Sequence, residues 1–481
     1  MKRFTKLFAG AALFFGVAAA ANTQAAASTP DFPVFNDAHD IVESITAGWN
    51  LGNTLDAHPH GAGAWAANPS AWTPSQQETL WGNPITTQEN IQTIHEAGFN
   101  AIRIPITFYT MIDDEFNIRE DWMERIVEIV DYAYDDGMIV IINTHHDERW
   151  IGLGLTDADG NLVPQYAGTN RETLVTFDES VDFLTSIWTQ LSDQFADYSH
   201  RLIFEGLNEP RTIGSFAEWG GGTAVERENL NLLNQVFVDT VRDHGEGYNA
   251  DRFLMVPTYA AAVGNNAFDG WRMPADAAGA DRIIVSLHAY APWEFAGEVW
   301  GTPWDEFTPQ VRGAVNWALN LSRETFPNYP IIIGEMGNLN RDNLADRVAW
   351  TAYYTNLANE LGIRVFWWDN GQFGIQQIPG GPDQFAIFDR RTNSFPFPEI
   401  NEALLNPLTS LNAEASVTRL QGNQNDLQLT LTKELTGGYT FETTETFRIN
   451  NNASGTFRIG NRDVFVNTQG NTQIRELRIV E

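Results

Sequence analysis

Short apolar runs recur along the first four-fifths of the chain, at 47–53, 101–106, 138–143, 201–207, 252–257, 283–288, 330–334 and 364–368. Runs of this length, apolar without strict alternation, predict buried strands of a parallel sheet. Between them lie stretches with apolar positions three and four apart, at 86–97, 122–135, 181–198, 229–244, 309–324 and 343–361, which predict amphipathic helices laid over that sheet. A short helix at 37–45 precedes the first strand. The helix at 86–97 reads as opened by a capping box from Thr86 to Glu89 and stopped by Gly98. Residues 56–84 read as a long loop carrying Trp65, Trp72 and Trp81. Eight alternations of strand and helix predict the α/β class, as a (β/α)8 TIM barrel rather than an open doubly wound sheet. No GxGxxG or Walker-type glycine loop opens any helix, which weighs against a nucleotide-binding sheet.

The period then changes. After Pro396, Pro398 and a short helix at 399–405, the tail contains no tryptophan and alternates plainly at 427–432. Phe447-Arg448-Ile449 and Phe457-Arg458-Ile459 stand ten residues apart across an Asn-Asn-Asn-Ala-Ser-Gly turn. This predicts a small all-β, sandwich-like C-terminal module over 407–481, behind a barrel domain over 28–406. Residues 1–27 stand apart from both. Lys2, Arg3 and Lys6 precede an apolar run and the small residues 25–27, the form of a secretory signal peptide cleaved near 25–27. The protein is therefore expected to be secreted and extracellular.

Composition narrows the partners. No later stretch approaches the ~18 apolar residues of a spanning helix, so no membrane role is expected. The absence of cysteine excludes disulfides, thiolate metal sites and a catalytic thiol. The formal charge is −33, and loss of the three basic residues of the leader deepens it to −36, with Lys433 the one lysine left. Such a surface repels nucleic acid and anionic lipid, and suits a neutral polysaccharide. It also fits a protein that works in salt, or simply an acidic secreted protein; composition leaves both open. No cofactor or metal is expected, and the chain is expected to act as a monomer.

Two of the strands end in glutamate. The run 201–211 reads R-L-I-F-E-G-L-N-E-P-R, with Pro210 closing the strand behind Glu209, and 330–337 reads P-I-I-I-G-E-M-G, delivering Glu335 126 residues later. Catalytic groups of barrel enzymes stand at this lip, and paired carboxylates are the minimum kit for cleaving a glycosidic bond. Side chains two apart on a strand share a face. Ser286, His288 and Tyr290 then line up, as do Asn143 with His145, Glu205 with Leu207 and Glu209, and Phe366 with Trp368. If each takes the inward face, Arg103, His145, Glu209, His288, Tyr290, Glu335 and Trp368 converge on one rim.

The segments Gly48-Trp49-Asn50-Leu51-Gly52-Asn53-Thr54-Leu55-Asp56, Ala101-Ile102-Arg103-Ile104-Pro105, Asn143-Thr144-His145-His146, Asn208-Glu209-Pro210, His288-Ala289-Tyr290, Gly334-Glu335-Met336-Gly337 and Trp367-Trp368-Asp369-Asn370-Gly371 together resemble a glycoside hydrolase family 5 cellulase, of its bacterial endoglucanase and xyloglucanase branch. The resemblance covers about 36–400 and leaves out the tail. It implies a retaining endo-β-1,4-glucanase with Glu209 as acid/base and Glu335 as nucleophile. It further implies that Arg103 and Tyr290 contact Glu335, that His288 adjusts the proton of Glu209, and that Asn208 holds the sugar 2-OH. Strict alternation points Asn208 away from Glu209, so the resemblance and not the spacing places it. Trp368 is implied as the floor of the subsite where the sugar distorts, with Asn53, Asp56, His145 and His146 along the glycone side. Xyloglucan, mixed-linkage glucan and mannan remain substrate alternatives, and a catalytically silent glucan-binding protein is the alternative from another class.

Other features read more plainly. Glu205 is expected to form a structural ion pair with an inward arginine, Arg103 being the candidate. His58 and His60 read as solvated loop residues rather than a metal pair, and 157–161 as a turn, since Leu155 and Tyr166 break the calcium-loop pattern. Trp293, Trp300 and Trp304, with Trp150, read as flanking an extended cleft. In the tail, Tyr439 and several phenylalanines are the available stacking rings, which favours a spacer over a carbohydrate-binding role.

Overall fold

Eight strands close into a barrel because each offers an apolar side chain to both faces. They are β1 (Gly48–Leu51), β2 (Ala101–Ile106), β3 (Ile139–Thr144), β4 (Leu202–Glu205), β5 (Leu254–Ala262), β6 (Ile283–His288), β7 (Ile331–Met336) and β8 (Ile363–Asp369), parallel and adjacent in chain order, with β1 closing onto β8. The computed structural model describes residues 34–59, 72–148, 150–153, 175–376, 382–420, 422, 424–450, 454–469 and 473–480. The signal-peptide reading at 1–27, Trp65, His60 and the turn at 157–161 lie outside the described residues.

Alternation sorts the strands into two layers. Ala101, Ile139, Ile141, Ile203, Met255, Ile284, Ile332 and Phe366 fill the barrel, joined by Ile41 and Val42 of the helix Ala38–Ser44. Ile102, Ile104, Val140, Ile142, Phe204, Val285 and Ile333 face outward, in one cluster with Trp122, Trp188 and Trp350 of the surrounding helices. Arg103, Asn143, Glu205, Ser286 and Trp368 share the inward parity and stand above the apolar plug.

Local chemistry shifts some predicted elements. The capping box at 86–89 moves by one: Thr87 caps the helix Gln88–Glu96 and Asn90 returns the bond. Thr86 is engaged elsewhere, its N–H donating to buried Glu78 at 2.6 Å. Within the long loop, Pro74–Glu78 forms a helix with its own capping box from Thr73 to Gln76. The fifth crossover, where the periodicity marks no long helix, carries only the short helix Asn265–Phe268 and a 3₁₀ turn, Ala280–Arg282. Pro274, Gly270 and Gly279 interrupt that stretch.

The tail forms two antiparallel sheets, β9 (Leu408–Arg419), β10 (Gln424–Leu435) and β11 (Thr440–Asn450), then β12 (Ser454–Ile459), β13 (Arg462–Gln469) and β14 (Gln473–Val480). Leu427, Leu429, Leu431, Ile459, Val464 and Val466 form the core between them. Its seam with the barrel is specific. Leu435 is buried in the barrel's outer cluster, Tyr439 donates to the Phe307 carbonyl at 2.6 Å, and the Phe441 ring lies 5.5 Å from Tyr353. Lys433 is buried and pairs with Glu360 of the helix Leu344–Glu360. Tyr439 is thus a seam residue and not an available stacking ring. Removing 407–481 bares this seam, so we expect a loss of several kcal/mol and a Tm lower by roughly 3–7 °C. Calorimetry of the truncated protein checks it; an unchanged Tm sinks the idea, and activity on soluble against insoluble glucan separates support from carbohydrate binding.

Candidate active site

Arg103 is the hub of the barrel mouth. Its side chain is fully buried, and Nε donates to Glu205 Oε2 at 2.7 Å. Nη1 reaches Glu335 Oε1 at 2.9 Å and Asn50 Oδ1 at 3.1 Å, and Nη2 reaches Asn208 Oδ1 at 2.7 Å. Glu205 is closed from its other sides by Ser286 Oγ at 2.6 Å and Asn143 Nδ2 at 3.0 Å. The expected structural ion pair is therefore present, inside a polar layer one step above the plug. Burial opposes the charge on Arg103, but Glu205 and Glu335 outweigh it and raise its pKa.

Glu335 does not follow simple alternation, since Ile332 and Gly334 hold the inward parity. A bulge corrects this: His288 pairs with Glu335 where Leu287 pairs with Ile333, so Gly334 is skipped and Glu335 turns inward. Glycine suits the space there, because a Cβ would stand a tight 3.2 Å from His288 Nε2. Glu335 Oε2 accepts from the Tyr290 hydroxyl at 3.0 Å, and His145 Nε2 lies 3.9 Å from Oε1. Burial, then the Glu335 and Glu209 charges, hold the Tyr290 hydroxyl well above its ordinary range, so it stays a donor.

Glu209 arrives differently. Strand β4 ends at Glu205, and Leu207 packs into the outer cluster rather than sharing a face with the two glutamates. That irregularity also turns Asn208 onto Arg103. Glu209 Oε1 lies 2.8 Å from His288 Nδ1, which is itself 3.6 Å from Glu335 Oε2. Donor atoms of Glu209, His288 and Glu335 all fall within 4.8 Å of one another. Burial raises the pKa of Glu209, but the His288 hydrogen bond and charge, with Arg211, outweigh it and bring it below the ordinary value.

The remaining predicted residues line the same mouth unevenly. Trp368 is 9% exposed and stacks flat against His145, centroids 5.6 Å apart and planes at 2°. Burial, then His146 and Arg103, hold His145 well below the ordinary imidazole pKa, hence neutral. Asn53 is partly exposed, with φ 55°. Asp56 is fully buried, its oxygens accepting from the Asn53 and Thr54 N–H groups at 3.0 and 2.6 Å. It therefore shapes the turn that presents Asn53. His58 is buried rather than solvated, 2.9 Å from the Tyr109 hydroxyl and against His146 and Trp81. Trp293 and Trp300 are exposed at 52% and 76%, whereas Trp304 and Trp150 pack on the outer core and are not cleft walls.

Sequence reading missed the acid–base layer beside His146. Glu148 stands 3.6 Å from His146 Nδ1 and 3.0 Å from Arg211 Nη1, and these two overcome burial to bring its pKa to about 2. Neighbouring Asp147 is pushed up to about 7 by burial, although it accepts from the Phe108 and Tyr109 N–H groups. Position alone, two residues past Glu209, could have drawn attention to Arg211. Two clusters among the described residues bring three His or carboxylate donors within 4.8 Å: Asp56 with His145 and His146, and the Glu209–His288–Glu335 set. Protein partners already engage these donors, through backbone N–H groups, Glu148, Arg103 and Tyr290. The arrangement can deliver a proton and a nucleophile to one point.

Comparison with known proteins agrees. A family model described as cellulase, glycosyl hydrolase family 5, matches residues 63–374. The cellulase/esterase CelE of Acetivibrio thermocellus is 38% identical over 375 residues, which take in 76% of this chain and 40% of that longer protein. A GH5-4 broad specificity endoglucanase from Ruminococcus champanellensis with bound cellotriose superposes with a TM-score of 0.69 at 36% identity, covering 78% of this chain and all of that one. A GH5 xyloglucan-specific endo-β-1,4-glucanase from a metagenomic library, in complex with cellotriose, gives 0.65 at 34% identity over 76% and 98% of the two chains.

Proposed function

The chain belongs to glycosyl hydrolase family 5, and from that premise we propose a secreted endo-β-1,4-glucanase that cleaves with retention, Glu335 as nucleophile and Glu209 as acid/base. The carrying observation is the closeness of the two carboxylates, one oxygen of each lying within 4.8 Å of the other. Retaining pairs stand about 5–5.5 Å apart, while inverting pairs leave about 6.5–9.5 Å for a water. In the first step Glu335 bonds to the anomeric carbon, the bond to the leaving oxygen breaks, and Glu209 gives that oxygen its proton. In the second, water adds to the anomeric carbon, Glu209 takes its proton, and the bond to Glu335 breaks.

The free protein already favours the charged form of Glu209, through His288 and Arg211, which is the form the second step needs. A bound chain displaces water from the mouth, and this strengthens the burial that favours the protonated form needed first. Asn208, fixed by Arg103, is placed to hold the sugar 2-OH, and the Trp368 face to carry the distorted ring. The relatives described as broad-specificity and as xyloglucan-specific endoglucanases support a β-1,4-glucan backbone as substrate. Branch tolerance then depends on the loop at 291–308, where Trp293 and Trp300 are exposed.

The test is a panel of carboxymethyl cellulose, xyloglucan, lichenan, mannan and xylan, with the product anomer followed by NMR. The β-anomer appearing first on a glucan supports the reading. An α-anomer first sinks the mechanism, mannan or xylan as best substrate sinks the glucanase, and glucan binding without hydrolysis favours the silent alternative. Repeating the panel and a thermal melt at low salt and about 1 M NaCl tests the acidic surface, whose self-repulsion salt screens. N-terminal sequencing of protein from the culture medium tests export, with a start near 25–27 expected.

A further inference from the structure

Besides Glu148, which Nη1 reaches at 3.0 Å, Arg211 touches Glu209, Glu218 and Trp219. Its Nη1 lies 3.6 Å from Glu209 Oε2 and donates to the Glu209 main-chain oxygen at 3.0 Å. Its Nε donates to Glu218 at 3.3 Å, and Glu218 also accepts from the Gly214 N–H at 2.8 Å, so the guanidinium ties down the loop that follows β4. Its Cζ sits 4.5 Å over the ring of Trp219, whose side chain is nevertheless 66% exposed. One face of that indole is therefore backed by a cation and the other is open.

The loop is held as a fixed ledge. The Thr212 N–H donates to the Tyr259 hydroxyl at 3.2 Å, and Gly222 (φ 69°) lies so close to the Tyr259 ring that a Cβ would stand 2.5 Å from it. Ile213 and Phe216 are exposed beside Trp219. The acid/base faces the leaving half of the substrate, since it protonates the oxygen that departs. A rigid, open aromatic face within about 10 Å of its carboxylate, by the reach of one guanidinium, belongs to that half.

We propose that Trp219 is the platform for the leaving-side sugars of the glucan, and that Arg211 is a positioning residue linking that platform to Glu209. This rests on the assignment of Glu209 above. The groups facing Glu209 are His288, Tyr290 and Glu335 from the far side of the mouth, His146 from the loop after β3, and Arg211 from its own loop, with Glu148 paired to Arg211 behind it. Of the cationic partners among these, Arg211 is the one that also carries the platform. Sugar stacked on Trp219 shields the guanidinium from water and strengthens its hold on Glu209.

The experiment compares cellotetraose with β-cellobiosyl fluoride, whose leaving group has no ring and needs little proton help. Trp219→Ala is expected to lower kcat/KM roughly tenfold on cellotetraose, and by a clearly smaller factor on the fluoride. Arg211→Met is expected to move the alkaline limb of the kcat/KM profile on cellotetraose upward by about one pH unit. The sign follows because Arg211 favours the carboxylate; without it Glu209 keeps its proton to higher pH. Arg211→Lys restores the limb, whereas a merely structural role would lower the rate and leave the limb in place. Equal losses on both substrates, or an unmoved limb, overturn the proposal while leaving the retaining mechanism intact. Failure of the unaltered protein to cleave cellotetraose would instead count against the glucanase assignment.

Discussion

Replacing Glu335 by glutamine is expected to lower kcat on every glucan by about 10⁴-fold or more, close to 5.5 kcal/mol of transition-state stabilisation. The fold should survive. Glutamine can keep its oxygen on Arg103, now at 2.9 Å, and turn its amide to the Tyr290 oxygen, which then accepts where it now donates at 3.0 Å, so both contacts survive with the second reversed. Only the nucleophile is lost. Glu209→Ala should behave differently, slowing natural glucans by about 10²–10⁴-fold but sparing the first step on β-cellobiosyl fluoride. Added azide, which needs no base, should then intercept the glycosyl-enzyme from the face that water uses and release a β-glycosyl azide. An α-glycosyl azide from Glu209→Ala would mean that the two roles are exchanged. A Glu335→Gln protein with more than about a hundredth of the normal rate would remove Glu335 from the chemistry, because a nucleophile's loss is not so mild.

Most of the barrel was legible because a strand buried on both faces leaves an unmistakable run. Strands β2 and β6 have the expected bounds, 101–106 and 283–288. What alternation could not supply was the aim of each glutamate. Glu335 reaches the mouth only through the bulge at Gly334, and Asn208 only because β4 has already ended at Glu205. Both are single-residue events, below the resolution of a period-2 reading. Loops hid more: His58 was read as solvated since nothing local shows that Tyr109 and Trp81 close over it. Trp150 and Trp304 looked like cleft walls because position after a strand does not distinguish a ring turned to solvent from one turned to the core. The pairing of Arg103 with Glu205, by contrast, was readable from charge alone, as two opposite charges forced inward in an apolar barrel have few other partners.

That pair carries the second large effect. Arg103→Met is expected to destabilise the protein by about 3–5 kcal/mol, since it strands Glu205 at 0% exposure. Ser286 and Asn143 would still donate to Glu205, but neither neutralises it. On a chain of this size, where unfolding entropy is large, the cost corresponds to a Tm lower by roughly 3–5 °C. The pKa of Arg103 is raised, so the unaltered protein keeps this charge at any working pH. In the variant the stranded carboxylate can take up a proton as pH falls, so the deficit should be largest at neutral and alkaline pH and smaller toward about pH 5. Glu205→Gln should cost less, because the amide oxygen can accept from Arg103 while the guanidinium keeps Glu335. In the double variant Arg103→Met, Glu205→Leu, stability should return in part, as replacing both members of a buried pair by apolar groups often does. Activity should not return with it, since Glu335 and Asn208 lose the donor that holds both in place. Recovery of stability and activity together would show that Arg103 serves only the fold, whereas a stable double variant that still binds glucan but turns over poorly assigns it to both.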